Sequence, residues 1–147
     1  MAEQLDLFTD QDSELQEIAE DTSSVPRVLY FDTETQKGAD EVGGWDNIHL
    51  MKLAAGVVWD SREERFLSYQ EKDTDKLVEK LRSADLVVGF NVLRFDYTVL
   101  QPYSSFDLQE LKTFDMLLDV KKRLGFRLSL NHLAQTTLKV KKTADGL

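Results

Sequence analysis

Phe31-Asp32-Thr33-Glu34-Thr35 closes an apolar, β-branched and aromatic run, Arg27-Val-Leu-Tyr-Phe, that reads as a buried strand. Successive strand residues point to opposite faces, so Asp32 and Glu34 present their carboxylates on the same one. Two like charges that close repel unless a cation lies between them. Oxygen-only ligands select hard ions such as Mg²⁺ or Mn²⁺. Alone, the D-x-E pair is as readily a solvated strand end. A third carboxylate follows in Val87-Val-Gly-Phe-Asn91-Val-Leu-Arg-Phe95-Asp96. That stretch reads as a strand, a break at Gly89–Asn91 and a helix start. It places Asp96 on a helix's first turn at the carboxyl edge of the sheet, where α/β folds bind ligands and the helix dipole favours an anion. Taken singly, Asp96 is equally an ordinary helix N-terminal charge.

The elements that must hold these groups follow from pattern. Residues 1–25 are polar and acidic without sustained periodicity and read as a mobile tail. The domain is expected over 26–147. After the first strand comes a Gly- and Asp-rich loop, Lys37 to Asn47. Second and third strands are predicted over Ile48–Trp59 and Arg65–Tyr69, completing an antiparallel meander. Asp73 or Thr74 should cap a helix to about Ser83, with Leu77, Val78 and Leu81 on one face. Leu86-Val-Val-Gly-Phe reads as a strand buried on both faces. A helix from about Phe95 to Leu100 follows, then a short strand, Lys112–Asp115. Asp115 should cap a helix from Met116 to Leu124 that stops at Gly125, and Ser129 a last helix to about Leu138. The sum is an α/β fold: a mixed five-stranded sheet, three strands antiparallel and two parallel, with helices on both sides.

Composition narrows the function classes. The chain has 147 residues, enough for one domain with a real core. It has no cysteine, which excludes disulfides and thiolate metal sites and suits a reducing compartment. No apolar run approaches the ~18 residues of a membrane span, and the start lacks the features of a signal peptide. A cytoplasmic, membrane-free protein is expected. The net charge of −9 looks wrong for a nucleic-acid enzyme, yet eight acids and no Lys or Arg fall in residues 1–24. The rest carries nineteen acids against eighteen basic residues, so it is nearly neutral. Its basic residues gather late, at Lys121, Lys122, Arg123, Arg127, Lys139, Lys141 and Lys142, as solvated helix ends or as a phosphate-contacting patch.

F-D-T-E-T at 31–35 resembles the first motif of the DEDD superfamily of 3′–5′ exonucleases, and N-x3-F-D, Asn91 to Asp96, resembles the second. Their order and the 62 residues from Glu34 to Asp96 also fit. The resemblance covers roughly 27–140, including Ser129-Leu-Asn-His-Leu-Ala, and is nearest to bacterial stand-alone exonucleases. It implies an RNase H-like fold and hydrolysis of phosphodiesters from a 3′ end, releasing nucleoside monophosphates. It also implies two Mg²⁺ or Mn²⁺ ions, about 4 Å apart. Asp32 would bridge them and Glu34 and Asp96 would complete one sphere each. The family's third motif, Y-x3-D or H-x4-D, is missing. It is expected about one helix beyond Leu147, so the domain reads as C-terminally incomplete or as a relative that has lost the motif. Low activity is then expected of this chain. A catalytically silent nucleic-acid-binding or clamp-binding module and a 3′–5′ exoribonuclease are the alternatives.

Other residues carry weaker signals. Trp45, on the Gly-flanked loop, could stack on a base or anchor the loop. Thr33, Thr35, Asn91 and Tyr97 flank the motifs and are further nucleic-acid candidates. Asp115 is explained by its cap. His49 and His132 read as packing or surface residues. In the tail, Gln4-Leu5-Asp6-Leu7-Phe8 resembles the peptide with which bacterial replication and repair proteins bind the sliding clamp. Gln4, Leu5, Leu7 and Phe8 would be the anchors, tethering the enzyme to DNA.

Overall fold

A computed structural model of the chain describes residues 25–139. The acidic tail, the clamp-like residues Gln4, Leu5, Leu7 and Phe8, and Lys141 and Lys142 lie outside that range.

Five strands form one sheet: β1 Val28–Thr35, β2 Leu53–Asp60, β3 Arg65–Gln70, β4 Leu86–Gly89 and β5 Thr113–Asp115, in the order β3-β2-β1-β4-β5. β1–β2 and β2–β3 pair antiparallel, β1–β4 and β4–β5 parallel. This is the mixed α/β sheet that the RNase H-like reading requires. The helices are α1 Ala39–Val42, α2 Thr74–Arg82, α3 Asp96–Leu100, α4 Met116–Leu124 and α5 Leu130–Thr137.

β1 alternates rather than being buried on both faces. Leu29, Phe31, Thr33 and Thr35 are buried, whereas Tyr30, Asp32 and Glu34 are exposed. The buried side meets Leu77 and Leu81 of α2 and Tyr97, Val99 and Leu100 of α3 in one core. The other side is covered near β4, where Met116 and Leu130 line a shallow apolar depression with Tyr30, Trp59, Phe66 and Val88. Asp32 and Glu34 therefore stand on the open face, as period-two geometry requires.

Two expectations need correction. The second strand begins at Leu53, not Ile48. Residues Trp45–Leu50 form tight 3₁₀ turns, so His49 lies on them and not on a strand. The predicted loop 37–47 also contains the short α1. Apolar Ile48, Leu50 and Met51 imitate strand periodicity, but Gly43 and Gly44, both at positive φ, turn the chain first.

At the end of the sheet far from Asp32, Asp60 is fully buried, with Lys80 Nζ at 2.6 Å and Arg27 Nε at 3.5 Å. Burial pushes its carboxyl up. Lys80 and the amides of Arg62 and Glu63 outweigh that and hold it below the ordinary value. The group ties α2 to the sheet.

Candidate functional site

The β4–α3 connection carries Asp96 across the end of β1. It passes so close that a Cβ on Gly89 would lie 2.6 Å from Val92 Cβ and 3.1 Å from the Phe31 carbonyl. Gly89→Ala should therefore overpack this crossing and lower the unfolding free energy by about 1–3 kcal/mol in a urea titration. An unchanged midpoint would mean the loop is free to move away.

β1 pairs with β4 only as far as Tyr30. Beyond it, Thr33 turns its N–H to a side chain: the amide donates to Asp96 Oδ1 at 2.9 Å, and Thr33 Oγ1 donates to the same oxygen at 2.6 Å. Asp96 is only 2% exposed. Burial pushes its carboxyl up to about 7; the Thr33 hydroxyl opposes this, and the charge of Asp32 adds to it. On the other side, the register of β1 against β2 slips between Glu34 and Thr35, a bulge of the kind often found beside active sites.

Asp32 and Asp96 line one depression of about 350 Å³, with Phe90, Asn91, Phe95, Leu117 and Arg127 among its walls. Glu34 shares the exposed strand face of Asp32 but does not line that depression. Among the described residues no group of three or more Asp, Glu, His or Cys is close enough together to hold a metal ion. The structure thus brings two of the three expected carboxylates to one place. They fit a part of one hard-cation sphere. Both donors are carboxylate oxygens, one is buried against the other's charge, and Mg²⁺ sites often use one or two carboxylates with water and substrate phosphate.

Asn91 takes a left-handed backbone, φ 58°, that Asn tolerates better than most residues. Asp115 holds it there. Its Oδ1 accepts from Asn91 N at 2.9 Å and Leu117 N at 3.0 Å, and its Oδ2 accepts from Leu93 N at 3.2 Å. The expected cap of α4 is real, but the same carboxylate also ties β5 to the loop that carries Asp96. Sequence reasoning stopped at the cap, because nothing local links Asp115 to Asn91.

The remaining candidates divide. The side chains of Thr33 and Thr35 are committed, Thr33 to Asp96 and Thr35 Oγ1 to the Lys37 carbonyl at 2.9 Å. Tyr97 is 1% exposed and stacks on Phe31. Its hydroxyl bonds Thr113 Oγ1 at 2.7 Å, so it is a core residue and not a nucleotide contact. Trp45 is 61% exposed and leans on Phe95, ring centroids 6.4 Å apart. His49 and His132 are exposed and neither lines the Asp32 depression. Arg127, one of the late basic residues read as helix ends or a phosphate patch, lines the depression of Asp32 and Asp96. Arg94, which lines the adjoining depressions, is found only in the folded chain, because in sequence it looks like an ordinary surface charge.

No protein-family model matches the chain, and no curated protein does. Among solved structures 65 chains match. One is the family B DNA polymerase from the hyperthermophilic archaeon Pyrobaculum calidifontis, 24% identical over 52% of this chain and 10% of that one, with a TM-score of 0.41. The similarity thus spans a tenth of the polymerase's length. No helix among the described residues is long and apolar enough to cross a membrane.

Proposed function

We propose that this chain is a divalent-metal-dependent 3′–5′ exonuclease domain acting on DNA, with Asp32 and Asp96 as metal ligands and Glu34 as an accessory carboxylate. The observation that carries the reading is the depression shared by exposed Asp32, buried Asp96 and Arg127. It supports a site where anionic oxygens meet a cation and a phosphate together.

Mg²⁺ or Mn²⁺ bound there would polarise the phosphodiester and neutralise charge on the leaving oxygen. The chain's own residues do the positioning. Thr33 fixes Oδ1 of Asp96 with two hydrogen bonds, leaving Oδ2 for other partners. Arg127, which lines the same depression, would offer a guanidinium to a phosphate oxygen. Asn91 and Asp115 hold the loop between them. By resemblance, the Gln4–Phe8 peptide would tether the enzyme to a sliding clamp.

A second reading is favoured by one fact: the described residues bring no third carboxylate to the site. The domain would then bind nucleic acid without cutting it. Digestion of single strands labelled at the 3′ or the 5′ end, as DNA and as RNA, separates the readings. The exonuclease reading expects Mn²⁺-dependent release of 3′-terminal mononucleotides first, reduced ~100-fold or more in Asp32→Ala, since several kcal/mol of charge stabilisation is lost. Binding without any release supports the silent module. Faster digestion of the RNA strand would make the enzyme an exoribonuclease. Release that ignores Asp32→Ala would sink the site assignment.

A further inference from the structure

Asn91 and Arg127 are walls of three adjoining depressions. The first contains Asp32 and Asp96. The second adds Arg94 and Lys121. The third, about 320 Å³, adds Trp45 and Ile48 and shares Arg94 with the second and Phe95 with the first. Arg94, Lys121 and Arg127 are all exposed, and none makes an ion pair with a described residue. Three cations without an ion pair to a described residue thus stand on walls shared with one asparagine. Arg123, close in sequence, is paired with Asp119 at 3.0 Å and does not belong to the set. The only acid on the wall of the second depression, Asp115, is buried and engaged by backbone amides.

The aromatic member is built in as deliberately. Gly43 at φ 89° and Gly44 at φ 117° turn the chain through conformations that side chains resist. The turn sets Trp45 on the rim, braced by Phe95 and still mostly exposed. Phe95 is the residue before Asp96, so the indole platform and the buried carboxylate are fixed to the same loop.

We propose that these depressions form one track for single-stranded polynucleotide, with Arg94, Lys121 and Arg127 on successive phosphates and Trp45 stacked on a base next to the 3′ end. Cations along a backbone and an exposed ring for a base face are the two elements of sequence-tolerant single-strand binding. A duplex hides its base faces and offers Trp45 nothing to stack on. The inference rests on the nuclease reading only for which end of the strand lies at Asp32; the track itself requires no cutting.

The test uses the full chain in EDTA, where no hydrolysis can confuse it. In a Trp59→Phe background Trp45 is the sole tryptophan, and its fluorescence reports directly. An oligothymidylate of about twelve nucleotides is used, within the span of known single-strand sites. It should quench that fluorescence, and Trp45→Ala should weaken binding about 5- to 150-fold while Trp45→Phe largely restores it. Arg94→Ala, Lys121→Ala and Arg127→Ala should each flatten the log–log salt dependence by about 0.7. A purely structural role for these residues would not change that slope. Oligouridylate in a parallel titration distinguishes a DNA track from an RNA track. Absent quenching, an unchanged salt slope in all three variants, or equal binding of blunt duplex would each overturn the proposal. If the chain binds as described but never cuts, the exonuclease reading fails and the track stands. If it cuts 3′ ends while these variants bind normally, the track alone fails.

Discussion

Asp96→Asn is expected to make the metal-free chain more stable at about pH 8, although it removes a carboxylate placed at the centre of the site. Asn keeps the oxygen that accepts from Thr33 N and Thr33 Oγ1, so the crossing of α3 over β1 is preserved. What it removes is a buried charge. The folded carboxyl is raised from 3.8 to about 7, first by burial, with the neighbouring Asp32 charge adding to it against the Thr33 hydroxyl. The sign then follows. Between these values the folded chain binds a proton that the unfolded chain has released, so stability is greatest below about pH 4 as far as this group is concerned. It declines as pH rises and levels off above about pH 7. The difference is roughly 4 kcal/mol for a shift of this size. Asp60 does not obscure it. Its carboxyl is held below the ordinary value, so its contribution is lost only in more acid solution. Denaturant titrations at about pH 5 and pH 8 should show the native chain losing stability over this range and the Asn variant nearly level. A variant weaker than the native chain at pH 8 would mean that the folded protein itself offsets the buried charge of Asp96.

Asp115→Ala should be the most damaging change outside the carboxylate pair. The side chain accepts from Asn91 N, Leu93 N and Leu117 N, with Leu118 N more distant at 3.5 Å. Loss of a helix cap typically costs about 1 kcal/mol. Each amide left without a partner away from water adds about 1–3 kcal/mol. A total of at least about 3 kcal/mol is expected, three times or more that of a cap alone. Asp115→Asn keeps one acceptor and should recover most of the cap but not the bond from Leu93. Hydrogen exchange at Asn91 and Leu93 should speed up in both variants, more in Ala. If Ala costs only what a cap costs and those two amides stay protected, the β5-to-loop tie has no energetic weight.

Much of this was legible in the sequence because it rests on local repeats. Alternation along β1 put Asp32 and Glu34 on one face. The Asp115 and Ser129 caps and the left-handed Gly125 bounded α4 and α5 closely. The mixed sheet, three strands antiparallel and two parallel, followed from three adjacent strands and two βα units. Three things were hidden. Ile48–Leu50 read as strand because its apolar residues imitate one, while the two glycines before Trp45 act through backbone freedom that no periodicity records. Asp96 looked like a helix-end charge, and its burial depends on how closely Gly89 lets the loop approach Phe31. The ties Asp60–Lys80, Asp115–Asn91 and Thr33–Asp96 join residues far apart in the chain, and only the fold makes them neighbours. Glu34 illustrates the reverse case: the motif placed it in the site, while the described geometry leaves it on the strand outside the shared depression.

Calorimetric titration with Mn²⁺ at about pH 8, on the native chain, Asp32→Ala and Asp96→Asn, is the measurement closest to the central claim. The account expects binding to the native chain with release of a fraction of a proton, growing as pH is lowered toward 7, because the ion must displace the proton that burial keeps on Asp96. Both variants should lose most of the binding and all of the proton release. Mn²⁺ binding that survives in Asp32→Ala and Asp96→Asn unchanged would contradict it, and would place any metal of this protein elsewhere.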